Sequence, residues 1–556
     1  MRRGPAVPTA PSGRVCLCLC LCACVCVCVW WWSASSPAWV RVAVVEHTTV
    51  TVTGAAQHLS GEERRVVARG AMHRNLQQFR THMREASRHG VQLIVFPEDG
   101  LHGFKHTRES VRPFLEALPP SEERVILCTD SRWSHTSPVA AELSCMAREF
   151  HMYVVANMGE KAPCQPGYHT PCSGDAQQLQ FNTNVVFSSR GELVAKYHKF
   201  NLFHEAQYDQ PPPQERLQTF SAFGVEFGLV VCFDLLFHQP SMELLHDRNI
   251  KHFVFPTAWI NAPPLLSSTQ YHQSWTLATG SVLLSSNQGG SLPGMTGSGI
   301  FVAGHPAAVF LNEGVPHAPP HGDGDSGHVR PAREVLLISN MPVSIPQQDP
   351  SSWDYQSVVV DMTEVMRSDD TPSPLDSYLQ DWDPVPLQVK LDRPVPMEPD
   401  FALTLFTPHA GPNTVTSEHE GLRCSFSFSA VNSSSPVDSR GDTFALAAFR
   451  GWYRDYFRIE VCAVVHCTDS DAPSSCMRSP HLWSGTSFGE FRLTAGGTLQ
   501  ADTIFPSVAT AGGHTISRKR VLWDPTTQTL SHRVGEAPIA DPLLAISLYG
   551  RVWDPK

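Results

Sequence analysis

Three side chains of unlike chemistry stand where strand-like runs end. Cys232 follows the apolar run Phe227–Val231, in Val-Val-Cys-Phe-Asp-Leu. Glu98 closes Val91–Phe96 in Pro97-Glu98-Asp99, an exit that presents two carboxylates. Lys199 follows Leu193–Tyr197, in Lys-Tyr-His-Lys-Phe-Asn-Leu-Phe. A thiol at a sharp strand exit is fixed by strand hydrogen bonds yet left accessible, which is where a nucleophile belongs. A carboxylate offers a general base, and an ammonium offers a charge partner for an oxyanion. In a parallel-rich α/β sheet, ligands gather at the carboxyl ends of strands. Each residue also has a plain reading. A buried Cys is commonly an inert core thiol, a strand-end Glu a solvated cap, and a Lys among aromatics a snorkelling chain.

Cysteine usage sets Cys232 apart. Of 16 cysteines, seven alternate from Cys16 to Cys28 through Cys18, Cys20, Cys22, Cys24 and Cys26. That run follows Arg2, Arg3 and Arg14, stays apolar from Val15 to Trp32, and gives way to Ser33-Ala34-Ser35-Ser36. This layout predicts a secretory signal peptide over 1–36, cleaved near 34–38. An uncleaved anchor is the competing reading, since the run is about long enough to span a bilayer. Of the nine remaining cysteines, eight lie in loop-like or hairpin settings. They pair by proximity as Cys128–Cys145, Cys164–Cys172, Cys424–Cys462 and Cys467–Cys476. In an oxidising compartment that leaves Cys232 free.

The elements that must position these groups follow from hydrophobic period. Val40–Val45 reads as a first strand. Ser60 with Glu63 makes a capping-box pattern. Met72, Leu76, Phe79, Met83 and Ala86 then recur at helical spacing, in a segment ended by Gly90. Ala140–Phe150 patterns as a helix and Met152–Ala156 as a strand. Phe181–Ser188 and Leu193–Tyr197 flank Ser189-Arg190-Gly191-Glu192, a hairpin signal. Phe253–Phe255 and Val282–Ser285 are further strands, with a helical pattern over Leu265–Leu277. This alternation predicts an α/β layered domain over 39–345.

Residues 304–333, with His305, His317, His321 and His328 among Pro, Gly and Asp, read as a solvated insertion. Pro319, Pro320 and Gly322 forbid a helix on which His317 and His321 could share a metal. Residues 346–400 are proline-rich and are expected to be a linker. From 401 to 556, short β-type runs predict a β-rich domain: Phe401–Phe406, Cys424–Ala430, Phe444–Phe449, Phe457–His466, Ser487–Leu493 and Leu543–Val552. Asn432-Ser433-Ser434 is a glycosylation sequon.

At 556 residues the chain has room for two to four domains of roughly 100–200 residues. A 42% hydrophobic and 17% charged composition excludes a wholly disordered protein. A net charge of −11 disfavours a general nucleic-acid binder.

The triplet Glu98, Lys199 and Cys232, in this order and spacing, resembles the nitrilase superfamily of carbon–nitrogen hydrolases. Longer strings narrow it: Phe96-Pro-Glu-Asp-Gly-Leu-His-Gly-Phe104, Phe181-Asn-Thr-Asn-Val-Val-Phe187, Tyr197-His-Lys-Phe-Asn-Leu-Phe203, Cys232-Phe-Asp-Leu-Leu-Phe237, Phe255-Pro-Thr-Ala-Trp-Ile-Asn261 and Gly294-Met-Thr-Gly-Ser-Gly-Ile300. With Leu548-Tyr-Gly-Arg-Val-Trp553 they resemble the biotinidase/vanin (pantetheinase) branch, over about residues 39–302 and 440–553. The resemblance implies an α-β-β-α nitrilase sandwich with a C-terminal β-rich base domain. It implies Glu98 as proton acceptor, Cys232 as nucleophile, and Lys199 as proton donor or oxyanion stabiliser. The backbone N–H of Phe233 would assist, and Glu205 would be an orienting carboxylate. A secondary amide would lose its amine, leave a thioester on Cys232, and be resolved by water, with no metal or organic cofactor.

Within the branch, Pro97–Phe104 looks more like biotinidase, while Tyr197-His198-Lys199 and Tyr271–Trp275 look more like vanins. No apolar tail of the kind that precedes a lipid anchor follows Trp553. The expectation is therefore a secreted, extracellular hydrolase of biotin amides. Its partner would be a small-molecule amide, biotinyl or pantetheinyl, with no nucleic acid and no stable membrane anchor. Pantetheine hydrolysis is the alternative, followed by a non-catalytic secreted relative that binds such a ligand. Two places depart from the branch. Ser286-Asn287-Gln288-Gly289-Gly290 replaces bulkier, His-containing residues, which bears on acyl selectivity if this loop lines the pocket. Arg423 stands beside Cys424 where a second cysteine is expected, so one family disulfide is missing.

Overall fold

A computed structural model describes residues 38–52, 59–164, 178–262, 264–290, 294–312, 333–345, 350–368, 401–408, 411–432, 443–453, 456–467, 476, 486–510, 520–532 and 543–553, with the strand segments 17–19, 27–29 and 379–381. Residues 1–38 and 39–556 are separate compact units. In the first, Leu17–Leu19 pairs antiparallel with Val27–Val29. Everything below concerns the second.

Helix α1 (Gly61–Arg88) begins at the capping box. The Ser60 hydroxyl accepts from Glu63 N, and the Glu63 carboxylate accepts from Ser60 N at 2.8 Å. Two orphan donors of the first turn are thereby satisfied. The stripe Met72, Leu76, Phe79, Met83 and Ala86 is buried. Helix α2 (Pro138–Glu149) packs beside it, and α3 (Ser268–Thr279) lies on the far side of the domain.

The strands of this domain, in chain order, are β1 (Trp39–Glu46), β2 (Leu93–Val95), β3 (Tyr153–Pro163), β4 (Gln178–Phe187), β5 (Leu193–His198), β6 (Thr219–Ala222), β7 (Val225–Leu229), β8 (His252–Thr257), β9 (Val282–Asn287), β10 (Ser298–Val302), β11 (His305–Phe310), β12 (Val335–Pro342) and β13 (Val358–Asp361). They form a seven-stranded sheet, β13-β12-β1-β2-β3-β4-β5, and a six-stranded sheet, β11-β10-β9-β8-β7-β6. The centre of each sheet is parallel, at β1-β2-β3 and β7-β8-β9. Alternate residues of β1 serve two cores. Ala43 and Val45 pack under α1 and α2, whereas Val42 and Val44 pack against Phe227, Leu229, Phe253 and Leu283 of the other sheet. Strands covered on both faces read as near-continuous apolar runs for this reason. The layers run helix, sheet, sheet, helix: an α-β-β-α sandwich.

A β-rich domain follows. Its strands are β14 (Ala402–Phe406), β15 (Gly411–His419), β16 (Leu422–Asn432), β17 (Thr443–Tyr453), β18 (Phe457–Cys467), β19 (Thr486–Thr494), β20 (Thr503–Thr510), β21 (Val521–Asp524), β22 (Thr529–His532) and β23 (Leu543–Val552). They form two five-stranded sheets, β14-β17-β18-β23-β20 and β15-β16-β19-β22-β21. Their shared core includes Phe426, Phe428, Leu446, Val464 and Leu493. Helix α3 is buried between the two domains. Trp275 meets Phe253 of β8 edge-on at 5.2 Å, while Tyr271 meets Phe505 of β20 at 5.4 Å.

Three features differ from the sequence reading. His305–Phe310 is strand β11, so the insertion does not begin at 304; His317, His321 and His328 lie outside the described residues. Within the expected linker, β13 adds an edge to β12 and Thr363–Ser368 is helical. Strands β6, β10 and β12 of the first domain and β15, β20, β21 and β22 of the second are additional to the strands read from sequence. The structure holds the bridges Cys128–Cys145, Cys424–Cys462 and Cys467–Cys476. Cys164 is disulfide-bonded, and Cys172 lies outside the described residues. Asn432 ends β16, with its side chain outside the description. No helix among the described residues is long and apolar enough to cross a membrane.

Candidate active site

Strand β2 is pinned at its exit, where Phe96 donates its N–H to Val155 O at 2.9 Å and stacks on Phe79 of α1. Two residues on, Glu98 is fully buried. Its Oε1 accepts from Lys199 Nζ at 2.7 Å and from Asn182 Nδ2 at 2.8 Å, and its Oε2 accepts from Ala258 N at 2.9 Å. Lys199, just past β5, donates also to Glu205 Oε2 at 2.5 Å. Glu205 accepts from Phe203 N at 2.9 Å and from Asn182 Nδ2 at 2.7 Å. One ammonium and one carboxamide thus tie both carboxylates into a single buried cluster. A buried ion pair is tolerable only when its remaining hydrogen-bonding capacity is met, and these partners meet it.

Cys232 lies three residues beyond Leu229, the last residue of β7, at the start of a 3₁₀ turn, Cys232–Leu236. Its φ is +41°, left-handed for a residue with a Cβ, so the turn is held under strain. Asp234 supplies much of the restraint. Its carboxylate accepts from Tyr197 OH at 2.8 Å, from Val231 N at 3.0 Å, and from Asn201 N and Nδ2 at 2.9 Å. Burial nonetheless lifts the Asp234 carboxyl to about 6. Cys232 is a free thiol, 8% exposed.

The electrostatics follow from burial and charge. Burial pushes the Cys232 thiol up, and the Glu98 charge adds to this; Lys199, Thr257 and the Ala258 N–H pull the other way. The resting sulfur is therefore a thiol. Burial also raises the Glu98 carboxyl, with Glu205 reinforcing and Lys199 opposing. Burial disfavours the Lys199 charge, but Glu205, Glu98 and Cys232 together hold it well above the usual lysine range. A raised carboxyl suits a base working near neutrality, and a lysine so held is a fixed positive charge.

The structure brings Glu98, Lys199 and Glu205 into direct contact and puts Cys232 in the field of Glu98 and Lys199. Phe233 follows in the same turn, its ring 5.0 Å from Phe203. Other members were not singled out from sequence. Asn157 Nδ2 donates to Asn182 Oδ1 at 2.6 Å and to Asn184 Oδ1 at 3.0 Å, and Asn157 Oδ1 accepts from Asp99 N at 2.9 Å. For Asn182 and Asn184 the signal is amides at alternate positions of β4; Asn157 is the lone amide of β3 and carries no such signal. The Ser286–Gly290 stretch does reach the site, since Gln288 Nε2 donates to the Glu98 carbonyl at 2.7 Å. The Asp99 carboxylate is buried without a hydrogen-bond partner among the described residues, and burial beside Glu98 and Glu205 raises it strongly.

Among the described residues, two groups have metal-ligand chemistry. Carboxylate oxygens of Glu98, Asp99 and Glu205 lie within 4.8 Å of one another, but Lys199 already bonds two of them and serves as the cluster's cation. The other is His47, His82 and Glu334, all buried. There His47 Nδ1 and His82 Nε2 approach Glu334 Oε2 at 3.1 and 3.0 Å. The outward nitrogens, His47 Nε2 and His82 Nδ1, have no hydrogen-bond partner among the described residues. A metal would move protons onto those orphaned nitrogens, whereas metal-bound imidazoles normally donate outward. The group reads as a structural hydrogen-bonded cluster.

Residues 62–282 match the family model for carbon–nitrogen hydrolases, and residues 396–556 match that for the vanin C-terminal domain. The chain is 31% identical over 521 residues to pantetheine hydrolase VNN2 of Homo sapiens, covering 92% of this chain and 88% of that protein. It is 32% identical over 477 residues to biotinidase of Takifugu rubripes, covering 84% and 86%. It is 40% identical over 281 residues to pantetheinase of Bos taurus, covering 50% and 54%.

Proposed function

Because the chain belongs to the carbon–nitrogen hydrolase family, in the branch that carries a vanin C-terminal domain, and is an amidohydrolase of that branch, we infer that Cys232, Glu98 and Lys199 carry the reaction and that the substrate is a biotin amide. The observation that supports the reading is the buried cluster in which Lys199 bonds both Glu98 and Glu205 beside a free thiol on a strained turn.

The chemistry follows. Glu98 takes the thiol proton as the sulfur attacks the carbonyl carbon. The resting thiol needs this transfer, because its acidity is depressed by burial. Lys199 faces the developing oxyanion, with the Phe233 N–H as second donor. The C–N bond breaks, the amine leaves with the proton from Glu98, and a thioester remains on Cys232. Water then gives a proton to Glu98 and attacks the thioester. The acid departs and the proton returns to sulfur. Glu205 and Asn182 hold Lys199 and Glu98 in register throughout.

Biotin is favoured by the string Pro97–Phe104. The Tyr271–Trp275 string, on α3, favours pantetheine as a second reading. The apolar run after Arg14 supports secretion, and Asn432 would then be open to glycosylation. The test is to assay biotinyl-lysine and pantetheine side by side with the full chain and with Cys232→Ser. Biotinyl-lysine should be cleaved with the higher kcat/KM and Cys232→Ser should be inert. Preferential cleavage of pantetheine would reverse the substrate assignment. A Cys232→Ser variant that kept a tenth of the activity would end the thioester route.

A further inference from the structure

The turn that carries Cys232 is gripped from the other domain. Arg551 lies on β23, the last strand, and is 2% exposed. Its Nε donates to the carbonyl of Leu236 at 2.9 Å, and its Nη1 donates to the carbonyl of Arg458 at 2.8 Å. The guanidinium rests 3.6 Å from the ring centre of Phe457 and 4.9 Å from that of Trp553. Phe457 meets Phe237 edge-on at 5.6 Å. Leu236 is the last residue of the turn and Phe237 its cap. A second contact comes from the same segment. Tyr456 meets Phe233 edge-on at 5.9 Å, and its hydroxyl lies 2.9 Å from His204 Nε2, next to Glu205.

A left-handed non-glycine residue persists only where its surroundings over-determine it. At Cys232 the catalytic domain restrains the turn through Asp234 and through Ser241 Oγ, which donates to the Asp234 carbonyl at 2.8 Å. The restraint at Leu236 comes from Arg551. A planar guanidinium suits this place because it donates in two fixed directions while stacking on an aromatic face; an ammonium cannot do both.

We propose that Arg551 is a positioning residue for Cys232, so that the C-terminal domain is part of the catalytic apparatus rather than an appended unit. The inference rests on Cys232 being the nucleophile, as proposed above.

The test uses the full chain and compares Arg551→Met and Arg551→Lys with Arg450→Met. Arg450 makes its bonds inside the C-terminal domain, to Glu460 and to the carbonyls of Glu420 and Thr498. Rates are taken per folded molecule. Arg551→Met should lower kcat by about 10- to 100-fold with KM near wild type, as expected for a small misplacement of a reacting group. Arg551→Lys should fall between. Arg450→Met should lower the melting temperature and leave kcat unchanged. Wild-type kcat in Arg551→Met, or an equal kcat loss in Arg450→Met, would overturn the proposal. Should Arg551→Met yield no folded protein, Phe457→Leu decides. It removes the aromatic face but keeps an apolar side chain, and should lower kcat at constant KM; wild-type kcat there refutes the idea. An active Cys232→Ser would sink the parent reading as well, whereas an inert one beside a fully active Arg551→Met would sink this inference alone.

Discussion

Asn182→Ala isolates what the carboxamide does for the candidate base. The Nδ2 group has two protons, one donated to Glu98 and one to Glu205, at 2.8 and 2.7 Å. A hydrogen bond to a charged group contributes about 1.5–3 kcal/mol. Removing the donor destabilises the Glu98 carboxylate relative to its acid by about that amount. At about 1.36 kcal/mol per pKa unit, the Glu98 carboxyl should rise by about one to two units. Glu98 must be ionised to accept a proton, so the acid limb of kcat/KM should move to higher pH by about one to two units. The assay is kcat/KM for amide cleavage against pH, for wild type and variant, at equal folded concentration. Asn182→Asp is the companion. It replaces a donor with a further negative charge among Glu98, Asp99 and Glu205, so activity near neutrality should fall further still. An acid limb that stayed in place while the whole profile fell would refute the reasoning. Asn182 would then be structural only, or Glu98 would not be the titrating base.

Other outcomes follow from the same geometry. Glu46 is buried where β1 meets Thr296, Gly297 and Ser298, and burial lifts its carboxyl from 4.5 to about 8. A raised carboxyl gives stability that is full below the unfolded value and lost as pH rises through the folded one. The melting temperature should therefore fall between about pH 4.5 and 8, and Glu46→Gln should flatten that slope; an unchanged slope would count against it. Lys199→Met should cost about 10²–10³ in kcat, the usual loss for one oxyanion donor, and a near-normal rate would remove Lys199 from the mechanism. Gly297 has a φ of +106°, and a Cβ there would run into the Ser268 hydroxyl. Gly297→Ala should destabilise by about 2–5 kcal/mol from strain and overpacking, seen as a lower denaturant midpoint; an unchanged midpoint would refute it. Iodoacetamide on the native, unreduced protein should label Cys232 alone, and peptide mapping that found it bridged would overturn the thiol assignment.

Features that depend on local chemistry can be read from the residues directly. Helix α1 was legible because a capping box and a helical stripe are short-range features. The central strands were legible because strands covered on both faces must be apolar throughout. Glu98, Lys199 and Cys232 stood out as unlike groups at strand exits, and the resemblance gave them an order. Strand β15 escaped notice because it is a sheet edge. A solvent-facing edge does not require apolar alternation, and Val415 is its only large aliphatic residue. Contacts across long separations become visible once the chain is folded. Asn182 reaches Glu98 over 84 residues, Gln288 reaches it over 190, and Arg551 reaches Leu236 over 315. Each stands in a string that the sequence marks, but no local pattern says which partner it meets, since that depends on how the sheets and the two domains pack. Glu46 and Glu334 would pass in sequence for surface charges. Their burial is a property of the packed sheets. Burial lifts the Glu46 carboxyl to about 8; it pushes Glu334 the same way, but the charge and hydrogen bonds of His47 and His82 outweigh it and hold that carboxyl down at about 2.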